Sequence, residues 1–122
     1  MLFRSISLIW HLMSSSDHSM TVETESRKFD VKILKYDNAF FISISEGPLR
    51  IGGMIISIAT GPTPVSSEII PIRQDLMFLK LVSQKMASEV RGICVVSLSS
   101  QKELGPGPSK ILIEKITEAI RK

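Results

Sequence analysis

At 122 residues, with 15 basic against 12 acidic side chains and a net charge of +3, the chain fits one domain that can bury roughly two-thirds of its unfolded surface without a disulfide or a metal. Its lone cysteine, Cys94, lies inside the apolar run ICVVSL, so it forms no intrachain bridge, reads as an inert core thiol and fits a reducing, cytoplasmic compartment. Cations come singly or in pairs and aromatic residues are few, which argues against a protein that tracks a nucleic-acid backbone.

Residues 1–26 read as a leader. The opening MLFRSISLIWHLM places an apolar stretch after Arg4, but Ser5, Ser7 and His11 interrupt it, and no small-x-small cleavage site follows. It also falls short of the roughly 18 consecutive apolar residues that a membrane span needs. With Met13 and Met20 as alternative starts, the leader is expected to be a start-site artefact or a disordered tail, ahead of a single domain over 27–122.

In KFDVKILKY, Phe29, Val31 and Ile33 alternate with Asp30 and Lys32, while Leu34 is out of phase; this is a half-buried strand. Asp37 and Asn38 supply a turn, and AFFISIS follows with Phe40, Ile42 and Ile44 on one face, which completes a hairpin. After the break EGP comes LRIGGMIISIAT, whose second half is apolar on both faces apart from Ser57; that pattern predicts a central strand. GPTP forces a turn, and VSSEIIPI is a shorter strand ended by Pro71.

The period then changes. Leu76, Leu79, Val82, Met86 and Val90 recur at helical spacing, with Asp75 as the expected N-cap and Gly92 as the C-terminal stop. GICVVSLS is a buried strand, SSQKELGPGP a stiff loop, and SKILIEKITEAIRK a helix capped by Ser109 that faces inward with Leu112, Ile116, Ala119 and Ile120. The order ββββαβα predicts an α+β fold: a mostly antiparallel sheet of five or six strands with two helices on one face. The other sheet face is then left apolar without cover, and dimerisation is the economical way to bury it.

Candidate chemistry is sparse. Both histidines, His11 and His18, fall in the leader, so neither an imidazole–thiolate metal site nor a Cys–His nucleophile can be assembled from the domain. Glu46, Glu68 and Asp75 would form a carboxylate site only by converging in one cleft. GPGPSK, Gly105 to Lys110, has glycines before a Ser–Lys pair, but it lacks the phosphate-loop spacing, and Pro106 and Pro108 remove two backbone donors. Gly52 and Gly53 precede a strand rather than a helix, so the dinucleotide fingerprint fails as well. No catalytic, cofactor-binding or metal-binding residue is expected.

The strand pair FDVKILKYDNAFFISIS, the segment GPLRIGGMIISIAT, the stretch PVSSEII and the helix–strand–helix run after Arg73 together resemble the proteasome assembly chaperone family, in its small members of types three and four, type four most closely. The resemblance covers about three-quarters of the chain. It implies a non-catalytic α+β dimer that binds α-type subunits of the 20S proteasome and promotes assembly of the α-ring, paired either with itself or with a related chain. The alternative is a small-ligand or nucleotide-binding regulatory domain that uses GPGPSK or EGPLRIGG as its cradle. Partner or dimer contacts are expected at Leu49 and Arg50, where the third strand begins, and at Met77, Phe78 and Leu81, which make the start of the first helix apolar all round.

Overall fold

The computed structural model describes residues 17–121. The elements run β1 (His18–Thr24), β2 (Arg27–Tyr36), β3 (Ala39–Glu46), β4 (Gly53–Ile58), β5 (Val65–Ile70), α1 (Leu76–Val90), β6 (Ile93–Ser99) and α2 (Pro106–Arg121). One six-stranded sheet has the order β1-β2-β3-β6-β4-β5. Every neighbouring pair is antiparallel except β3 with β6, which is parallel, so the α+β sheet is mixed.

β1 corrects the expected boundary at residue 26. His18–Thr24 pairs with β2 through a two-residue turn at Glu25 and Ser26, both at positive φ (51° and 63°). That is the twist a tight hairpin favours, reached without the usual Asn-Gly or Asp-Gly. Residues 1–16, the rest of the leader, lie outside the described residues.

Pairing aligns the predicted inward residues. Ile33 sits beside Ile42 and Ile42 beside Val96, while Val31 sits beside Ile44 and Ile44 beside Leu98. All are buried, with Phe29, Phe40, Ile55 and Cys94 in the same cluster. Burial pushes the Cys94 thiol up to about 12, so it carries no thiolate reactivity near neutral pH. α1 covers β6 and β4, and α2 lies over β1.

The helix ends differ from expectation. Asp75 is left-handed (φ 64°) and makes no side-chain cap; its carboxylate instead accepts the Leu104 N–H at 3.2 Å. Arg91, not Gly92, is the left-handed residue that ends α1. Gly92 is needed for space, because a Cβ there would overlap the Asn38 carbonyl oxygen. The buried stripe of α1 takes Phe78 and leaves Leu76 partly exposed. α2 begins at Pro106, ahead of the expected Ser109, because proline is tolerated in a first turn whose N–H groups have no helical acceptor.

One buried polar chain crosses the sheet–helix layer. Ser83 Oγ donates to the Lys80 carbonyl and Gln84 Nε2 donates to Ser66 Oγ, with Ser57 Oγ 2.6 Å from Ser83 and 2.7 Å from Ser66. Each hydroxyl has one proton. The donors must therefore run Gln84 to Ser66 to Ser57 to Ser83 to Lys80. Ser57→Ala breaks this chain in the middle and strands a buried acceptor; it is expected to cost about 2 kcal/mol in urea unfolding. An unchanged midpoint would show that the chain contributes nothing.

Candidate interaction surface

Residues of opposite parity to the core face away from both helices. The pairing places Leu34 beside Phe41, Phe41 beside Val95 and Val95 beside Ile56, a continuous apolar row across four strands. A second row, Ala39, Ile93, Ile58 and Val65, runs alongside it. Leu34, Ile58 and Val65 are exposed, and Phe41, Val95, Ile56 and Ile93 are half-buried by their neighbours alone. The same face turns polar toward its other end, at Lys32, Ser43 and Asp30.

That polar end is partly roofed by residues 47–52. Because β6 lies between β3 and β4, their connection must cross the end of β6. Ser45 Oγ donates to the Arg50 carbonyl and accepts the Arg50 N–H, at 3.1 and 3.2 Å, and Ser97 Oγ accepts the Gly52 N–H at 3.0 Å. A Cβ on Gly52 would overlap the Leu98 carbonyl oxygen. The glycine lets the chain press against β6, which is a packing role. Gly52 and Gly53 also line a cleft of about 410 Å³ with Arg73, Ser99 and Ser100.

The five expected contact residues do not form one surface. Leu49 is exposed and lines a depression with Thr21, Asp30 and Lys32, and Arg50 is exposed next to it. Met77 and Leu81 are exposed on α1, which packs on the opposite face of the sheet, while Phe78 is only 6% exposed and belongs to the core. The expected contact at Phe78 is therefore corrected: the buried stripe of α1 through Leu79, Val82 and Met86 widens to take in its aromatic ring, while Leu76 stays exposed. The apolar row across the open face was missed residue by residue. Its signal was present in Leu34, out of phase in its strand, and in Phe41, which follows Phe40.

The three candidate carboxylates, Glu46, Glu68 and Asp75, each hold a hydrogen-bonded position. Arg27 forms a two-point ion pair with Glu46 (Nε to Oε2 2.9 Å, Nη2 to Oε1 2.7 Å) and donates to the carbonyls of Lys102, Glu103 and Leu104. Glu46 also accepts the Gln101 N–H. Glu46 and Asp75 thus both grip the 101–104 loop, while Glu68 accepts the Ile72 N–H elsewhere. The hydrogen bonds from Arg27 hold the Glu46 carboxyl below the usual glutamate range, and burial pushes Asp75 up. Among the described residues, no group of three His, Cys, Asp or Glu is placed to hold a metal ion, and no helix is long and apolar enough to cross a membrane.

No family model matches the sequence, and no curated protein matches it. Eleven chains of solved structures do match. One comes from the crystal structure of a chaperone complex for yeast 20S proteasome assembly, with a TM-score of 0.64 at 9% identity over 86% of this chain and 97% of that one. At that identity, the chain shares the fold of that complex's subunit.

Proposed function

We propose that the protein is a non-catalytic assembly chaperone that acts as a dimer and binds α-type subunits of the 20S proteasome to promote α-ring assembly. The observation that carries this reading is an apolar sheet face left uncovered in a fold shared with a proteasome assembly chaperone. Two separate contact surfaces suit such a role: the open face for a second chain, itself or a related one, and the exposed Met77 and Leu81 on α1 for the client. Leu49 and Arg50 border the first of these. The single cysteine supports a cytoplasmic setting.

Co-purification of tagged protein with α-type subunits is the test of the client; recovery of unrelated proteins alone overturns it. For the association face, Phe41→Asp is expected to lower the mass seen in sedimentation to that of one chain while the far-ultraviolet circular dichroism stays native. Mass unchanged by the substitution moves the dimer contact off the open face.

A further inference from the structure

We propose that the outer side of α1 docks a protein surface whose apolar centre is bordered by carboxylates, and that this charge pattern selects the client; the proposal rests on the client contact at Met77 and Leu81 given above. These two side chains stand about one turn apart, 77% and 56% exposed, and form a short apolar ridge pointing away from the sheet. With about 3.6 residues per turn, Lys80 falls about 80° to one side of that ridge and Lys85 about 60° to the other. Both lysines are exposed.

Their charge is not answered among the described residues. Glu89 is the one acidic residue of α1, and it pairs with Arg121 at 2.8 Å. The other ion pairs among those residues join Arg27 to Glu46 and Lys115 to Glu118, so neither Lys80 nor Lys85 has a carboxylate in contact. On the side of α1 that meets β5, Gln84 donates to Ser66, and Glu68 of that strand accepts the Ile72 N–H. Each lysine thus keeps its charge for a partner, and its methylene stem can add to the apolar contact. Two acidic groups near the start of the helix set a direction. Asp75 and Glu103 border a depression of about 660 Å³ that Arg73, Met77 and Phe78 also line, and Asp75 is engaged with the Leu104 N–H. A partner's carboxylates are repelled from the Glu103 end and drawn to the Lys80 and Lys85 end, while an apolar side chain can enter the depression beside Met77.

A protein fits this surface better than a bilayer or a nucleic acid. Two cations fall short of the roughly four to eight that hold a helix to anionic lipid, and the aromatic residue of α1, Phe78, is buried where it cannot stack a base. Charges at the rim of a contact set partner choice and association rate more than affinity. The ridge therefore supplies the hold and the lysines the selection.

The test uses the full-length chain and purified α-type subunits, with binding titrated at two salt concentrations. Lys80→Glu combined with Lys85→Glu is expected to weaken binding about thirtyfold at about 0.05 M salt, and far less at about 1 M, where charges are screened within about 3 Å. Lys80→Arg with Lys85→Arg should bind as the parent does, and Met77→Glu should bind weakly at both concentrations. With carbon-13 in the methionine methyl groups, the Met77 resonance should shift on binding while that of Met86, buried in the core, stays in place. Every substitution lies at an exposed position, so the urea midpoint should match that of the parent. Binding by the parent chain that ignores the lysine reversals overturns the acidic partner and leaves the proposed client standing. A loss equal at both salt concentrations overturns selection by charge. No binding by the parent chain overturns the client reading and this surface with it. Lysine-dependent binding to phosphatidylserine vesicles in place of the subunits assigns the ridge to a lipid surface and overturns the protein partner.

Discussion

Arg27→Ala is expected to lower stability by about 3 kcal/mol in guanidinium unfolding, among the largest effects of any surface-proximal residue in the molecule. The Arg27 side chain is only 9% exposed and that of Glu46 10%, so truncation leaves a largely buried carboxylate without its partner and three loop carbonyls without the Arg27 donor. Arg27→Lys should recover little, because an ammonium cannot reproduce the two-point geometry. By contrast, Arg121→Ala breaks a pair whose side chains are 62% and 33% exposed and should shift stability by less than about 1 kcal/mol, because solvent screens it.

The same clasp fixes a pH dependence. Glu46 has a depressed pKa when folded, so its contribution is complete above the ordinary glutamate range and is lost as pH falls through that range toward the folded value. Asp75, raised by burial, runs the other way: its ionisation favours the unfolded chain, and acidification relieves that penalty. The acid limb of the stability curve should therefore flatten in Glu46→Gln, measured as the denaturation midpoint against pH. A limb as steep as that of the parent protein would place the titrating group elsewhere.

Phe29→Ala should cost about 4 kcal/mol, in the range for a fully buried aromatic side chain. Phe29 is wholly buried on β2, and the Arg27 guanidinium lies 5.1 Å from its ring centroid. The ring is thus both core and floor of the clasp. A double-mutant cycle with Arg27→Ala should show coupling of about 1 kcal/mol, the attraction of a cation for an aromatic face when partly desolvated. Additivity within error would reduce the contact to coincidence of position.

Strict alternation in Phe29, Val31, Ile33 and in Phe40, Ile42, Ile44 made the core side of the central hairpin legible, and the helical period did the same for Leu79, Val82 and Met86. Phe78 was misplaced because it flanks the Leu79, Val82, Met86 stripe, and a helix start that is apolar all round does not show where the buried face ends. β1 was missed since Met20 and Val22 are the only apolar residues on its inward side, and its turn uses Glu25 and Ser26. The open row was out of reach for another reason. Leu34, Phe41, Val95 and Ile56 come from four strands whose order and register are tertiary facts, and the parallel pairing of β3 with β6 has no local signature.

The place of β6 has a consequence for how the molecule is made. Ile93–Ser99 lies between β3 and β4 in the finished sheet, yet it is translated after both. Until it arrives, β1 to β3 can form one meander and β4 with β5 another, each with a raw edge where β6 will go. Such edges recruit other chains. The last-made central strand is therefore a keystone, and a chain stalled before Ile93 is two half-sheets rather than a smaller version of the protein.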